Sequence, residues 1–409
     1  DVLGSRGLGD VYKRQNMYQV MKTKFLFWAV VAAMTVTGCS QNEVLETRPD
    51  TNRTIGFGVY TGTQTKGLVT DNATNPSEEG TATTNGLKMT DKGFGILAYQ
   101  TTGNYLTGGA KGTFMDNVHT TWNATGGSGS GVWEYSPLKF WPGNSTDELS
   151  FFAYAPYVST SGTSGITLAN ATNSTDPLLT FKLQDNQKDM IDLVASKMED
   201  QQQSSSNGKV TFTFGHMLTR VTMLAKTSVN TNAQTKVFIT GIKLKHTTKL
   251  AQEATYNMHS DTWTLPQTSE TAKFLKSPYL IAATTANGVL KTSSTWNDYT
   301  TAGVEVNETA STLFTTDQYL FFIPIGGTGT TADDDVKAEI SYDIVSIPTA
   351  GSTATTKSSF TKAVNLGTGV FAKGKAYKFT FTITLNAIEI AVTDNLDWNT
   401  DENKPVTVN

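Results

Sequence analysis

Apolar and polar residues alternate along much of this chain with a period of two. The longest such run lies near the C-terminus. Tyr377, Phe379, Phe381, Ile383 and Leu385 alternate with Lys378, Thr380, Thr382 and Thr384. After Asn386-Ala387 the pattern resumes at Ile388, Ile390 and Val392. Successive side chains of a strand face opposite ways, so this period predicts β-strands with one buried face. Val336 to Ile344 alternates without a break, as do Val210-Thr-Phe212-Thr-Phe214 and Arg220 to Ala225. Val237, Ile239, Ile242 and Leu244 change face at Gly241, which predicts a bulge. In the first half, Phe94 to Tyr99, Trp133-Glu-Tyr135, Leu149 to Tyr154 and Met190 to Ala195 read as strands with aromatic or aliphatic cores. Ile55-Gly-Phe57-Gly-Val59 is a short strand whose other face carries only glycine, so another group can lie close over it. Many short strands between turn clusters predict an all-β protein of sandwich or barrel type.

One stretch breaks the period. Phe25 to Val36 is apolar throughout, follows Lys22 and Lys24, and ends at Val36-Thr-Gly-Cys39. It is shorter than the roughly 20 residues of a spanning helix and has the anatomy of a secretory signal. Cys39 is the chain's single cysteine. Its place at the end of that signal resembles a bacterial lipobox, which predicts lipidation of Cys39 and anchoring in outer-membrane lipid. The expected organisation is a leader foreign to the protein (1–16), a lipoprotein signal (17–38) and a tether (39–53). A first β-domain (54–200), a polar linker (201–208) and a second β-domain (209–409) follow.

Thr, Ser, Gly and Asn dominate the loops. Net charge is −4 and 17% of residues are charged, with no basic stripe, which argues against a nucleic-acid partner. With Cys39 lipidated, no disulfide forms within the chain, and stability has to come from packed apolar cores. Catalytic signals are weak. The histidines at 119, 216, 246 and 259 lack metal-ligand spacing. His216 reads as a buried, hydrogen-bonded histidine, and Asp192 as an acid with a partner or at a strand-end turn. Gly369 to Lys375 approaches a P-loop but leads into a strand, so it reads as a turn. Asp333-Asp-Asp335 reads as a solvated hairpin tip. No enzyme, cofactor or metal is expected.

The order of several short motifs carries a resemblance. They are the lipobox at Cys39, Ile55-Gly-Phe-Gly-Val59 with Thr65-Lys66-Gly67, Leu138-Lys-Phe-Trp141-Pro142 and Ser150 to Pro156. Asp192 to Ala195, Phe212 to Arg220 and Tyr377 to Trp398 complete the set. The chain resembles the fimbrillin family of Bacteroidales, the subunits of type V pili and their lipoprotein relatives. The resemblance implies two tandem transthyretin-like β-sandwiches, a place in a fimbria at the outer membrane, and other fimbrillin subunits as partners. It also implies assembly by strand exchange. A protease cuts behind the first strand, at Lys66 where the family usually has arginine, with Arg53 as the alternative. The plug Ile55, Phe57 and Val59 then leaves. A neighbour's donor residues Tyr377, Phe379, Phe381, Ile383, Leu385, Ile388, Ile390 and Val392, within 376–393, replace it, eight apolar side chains for three. The competing expectation is a non-polymerising surface lipoprotein that binds a host glycan or protein, with Trp133 and Trp141 as its aromatic platform.

Overall fold

The computed structural model describes residues 54–59, 87–88, 92–159, 165–184, 190–232, 234–245, 250–266, 304–313, 319–325, 336–346, 356–367, 371–385 and 387–396. Cys39, Arg53, Lys66, His246 and Asp333 to Asp335 lie outside them.

The described chain is nearly all strand, as its period predicts. In the first half the strands are β1 (Gly56–Val59), β2 (Phe94–Thr102), β3 (Gly112–Asn123), β4 (Val132–Tyr135), β5 (Asp147–Ala155), β6 (Ile166–Ala169), β7 (Leu178–Lys182) and β8 (Val194–Gln201). A one-turn helix, α1 (Gln203–Ser206), leads to β9 (Lys209–Phe212), β10 (Gly215–His216), β11 (Thr219–Thr227), β12 (Thr235–Lys245), β13 (Glu253–Asn257) and β14 (Thr262–Thr264). The remaining strands are β15 (Val304–Val306), β16 (Ser311–Thr312), β17 (Leu320–Phe322), β18 (Lys337–Ser346), β19 (Thr356–Asn365), β20 (Ala376–Ile383) and β21 (Ile388–Leu396).

A six-stranded sheet, ordered β10-β8-β5-β2-β3-β4, organises the first half. Its middle strands are buried on both faces. On β5, Leu149, Phe151 and Ala153 enter one core while Phe152 and Tyr154 enter another. The first core is closed by a two-stranded parallel ribbon, β1 with β9. The second is shared with the sheet β14-β13-β7-β6, in which β7 of the first half pairs antiparallel with β13 of the second. Two further sheets pack through the same core, one with β11, β20 and β21, the other ordered β15-β12-β18-β19. Gly241 carries the expected irregularity, with the β12–β18 register shifting between Ile239 and Gly241.

The polar stretch expected as a linker forms the end of β8 and the turn of α1. Val210, Phe212 and Phe214, placed by their sequence position in the second half, pack with Phe94 and Phe151 of the first. The chain's exit from the first core falls after Phe214, while the second core draws on both halves of the chain. Sequence alone cannot place it there, because a polar loop tip and a polar linker have the same composition.

Candidate functional site

Strand β1 is held by few contacts of high quality. Ile55 and Phe57 are 1% and 3% exposed, whereas Gly56 and Val59 are half-buried. The Phe57 ring lies 5.0 Å from Tyr135, 5.8 Å from Phe151 at a steep angle and 5.8 Å from Phe212 in a stack. The backbone is latched at its N-terminal end. Ile55 N–H donates to the Lys139 carbonyl (3.0 Å), Gly56 N–H to the Gly208 carbonyl (2.9 Å), and the Tyr135 hydroxyl to the Ile55 carbonyl (2.8 Å). Burial pushes the Tyr135 phenol up, partly offset by its hydrogen bond with the Lys139 backbone, so the hydroxyl stays a donor at neutral pH.

Among the described residues β1 has one strand partner, β9, and just before it Thr54 bridges Phe140. Its register with β9 runs from Gly56 opposite Lys209 to Val59 opposite Phe212. A groove of about 310 Å³ runs beside β1, lined by Gly56 to Val59, Lys88, Trp122, Trp133 and Lys209. The bare glycine face is covered as expected. A Cβ on Gly58 would come within 2.5 Å of the Lys209 side chain, whose stem lies across the strand.

The C-terminal residues fall into two groups with different freedom. Tyr377, Phe379, Phe381 and Ile383 are 5% exposed or less, so the period is read correctly. However, β20 is an inner strand. It pairs parallel with β11 from Arg220 opposite Ala376 to Thr227 opposite Ile383, and antiparallel with β21. Leu385 is 61% exposed in the turn that follows, where Ala387 N–H donates to Thr384 Oγ1. Among the described residues strand β21 pairs with β20 alone, and its Ile388, Ile390 and Val392 are half-buried against the core. Withdrawing β20 would split a sheet, whereas withdrawing β21 would only remove its edge. The eight residues expected as one donor therefore lie on an inner strand, a turn and an edge strand, and sequence period cannot reveal the difference because inner and edge strands alternate alike.

The residues weighed for chemistry sit as structural groups. His216 Nδ1 lies 2.6 Å from an Asp192 carboxylate oxygen, both side chains being nearly fully buried. Gly374, at φ +67°, turns the chain into β20 where a P-loop would need a helix. Of the two tryptophans expected as a platform, Trp133 packs edge-on to Phe94 and Trp141 to Phe151. Among the described residues there is no group of three His, Cys, Asp or Glu able to hold a metal.

Comparison with known proteins adds an independent line. A family profile described as fimbrillin-like matches residues 80–398. Fimbrium subunit Fim1C of Phocaeicola vulgatus is 37% identical over 396 residues, covering 93% of this chain and 97% of that protein. The crystal structure of a fimbrial protein from Bacteroides vulgatus is 34% identical with a TM-score of 0.61. That match covers 84% of this chain and 98% of the other.

Proposed function

Since this chain belongs to the fimbrillin-like family, we propose that it is a subunit of a cell-surface fimbria, exported as a lipoprotein through Cys39 and polymerised by strand exchange. In this reading β1 plugs the first core until a cut at Lys66 frees it, and β21 of another subunit takes its place. Arg53 is the less suitable cut, because it lies before the plug and leaves β1 joined to the domain. The reading includes two sandwich domains that meet near Gly215 to Met217.

The observation that carries it is the state of β1, deeply buried at two side chains and paired along one edge. A strand edge is a template for a further strand, and donor-strand complementation uses that chemistry. Burying a large apolar side chain contributes about 1.5–3 kcal/mol, so Ile55, Phe57 and Val59 hold the plug well. With β20 retained in its own sheet, the incoming strand brings Ile388, Ile390 and Val392. Three side chains replace three, and the exchange is not driven by a large surplus of burial.

The cut supplies the direction instead. A tethered plug competes at an effective concentration in about the millimolar range, and cutting removes that advantage. Ile388, Ile390 and Val392, half-exposed in the monomer, gain burial in the groove. Replacing Lys66 with Ala is expected to leave full-length monomers at the surface. Undiminished polymer from that variant would overturn the reading.

A further inference from the structure

A second concavity lies where the loop before β5 meets the end of β8 and α1. It has a volume of about 380 Å³ and is lined by Trp141, Asn144, Asp147, Gln202, Gln203 and Ser204, among others. That volume is within the range of small-molecule sites, about 300–1,000 Å³. We propose that this pocket binds one pyranose unit of a neutral glycan.

The lining decides the ligand class. It offers an indole, the ring of Pro142, three side-chain amides, two serine hydroxyls and one carboxylate, and no lysine or arginine. An anion finds no counter-charge there. A divalent cation would need several oxygen ligands of high charge, and the pocket holds one acid. The Asp147 carboxylate is fixed in place by Gln100 Nε2 at 2.7 Å and Asn144 Nδ2 at 3.2 Å. A carboxylate has about four acceptor sites, so two remain for ligand hydroxyls. Gln202 is held by its amide nitrogen on the Ser145 carbonyl at 3.1 Å. Sugar hydroxyls both donate and accept, which suits amides and a carboxylate side by side.

One buried polar atom of the lining has donor capacity to spare. Trp141 is 3% exposed, yet its indole N–H has no hydrogen-bond partner among the described residues. One oxygen of Glu148, outside that lining, is likewise without a partner among the described residues. Buried polar groups are nearly always paired, so each such atom needs an explanation. Burial, and then the charge of Asp200, push the Glu148 carboxyl up.

The test is an NMR titration of the mature chain. The Trp141 indole resonance is identified by its loss in Trp141→Phe, which keeps the ring packing. The probes are the methyl glycosides of glucose, galactose, mannose and N-acetylglucosamine, with phosphate and calcium chloride as controls. At least one glycoside is expected to shift that resonance saturably. The double variant Asn144→Ala/Gln203→Ala is expected to bind it about tenfold more weakly while remaining folded by circular dichroism, the effect of one or two lost hydrogen bonds. A resonance unmoved by all four glycosides, one moved only by phosphate or calcium, or binding undiminished in the double variant would overturn the proposal.

Discussion

Phe57 carries most of what is at stake in β1. Its ring touches Tyr135, Phe151 and Phe212, so truncation leaves a cavity that three aromatic rings cannot easily close. Phe57→Ala is expected to lower the unfolding free energy of the uncut precursor by about 3–5 kcal/mol. Tyr135→Phe, which removes only the hydroxyl bonded to the Ile55 carbonyl, is expected to cost about 0.5–1.5 kcal/mol. Urea titration reads both. After cutting, the same two changes should speed replacement of the plug, since they weaken the plug's hold on the domain. The burial of Ile55 and Phe57 was legible in the sequence, because each alternates with a glycine that cannot fill a core. The contact of His216 with Asp192 was legible in part, since His216 reads as a buried, hydrogen-bonded residue. Their juxtaposition was not, because it depends on β10 pairing with β8.

At the scale of elements, β20 and β21 have opposite consequences. Phe379 is fully buried on an inner strand, so Phe379→Asp places a charge in a core and is expected to prevent folding. Ending the chain at Ala387 removes β21, an edge of the described sheet, together with residues 397–409. That variant is expected to remain folded by circular dichroism, to accept another subunit's strand, and to stop the growing polymer because it has none to donate. A truncated chain that still polymerises alone would assign the donor elsewhere. Strands with strict period were the most legible parts of this sequence, as β18 and β20 illustrate. The pairings were not. β1 lies parallel to β9, some 150 residues away in sequence, and nothing local to either strand specifies the other. The sheet of β6, β7, β13 and β14 likewise joins segments that sequence assigns to different domains.

For the whole molecule, that shared sheet ties the halves together and is reinforced by a polar cluster. Asp176 accepts from Lys111 at 3.2 Å and from Asn257 at 3.0 Å, so one carboxylate bridges the first half and the second. Burial alone would raise its pKa, but the hydrogen bonds from Asn257 and Lys111 and the nearby His259 and Lys111 outweigh it and hold it below the usual carboxylate range. A carboxyl with a depressed folded pKa stabilises the fold above its unfolded value, near 3.9, and that contribution is lost as pH falls through the folded pKa. Acid unfolding of the parent chain should therefore steepen below about pH 4. Asp176→Asn should be less stable at neutral pH by on the order of 1 kcal/mol and flatter through the acid range. Equal slopes for the two proteins would remove Asp176 from the account.

The central claim is that the assembled subunit has lost its plug. Intact-mass spectrometry of subunits sheared from the cell surface measures this directly. The account predicts a chain that begins at Gly67, with Cys39, its lipid and β1 gone. A polymerised subunit that still carries lipidated Cys39 joined to Ile55, Phe57 and Val59 would contradict it.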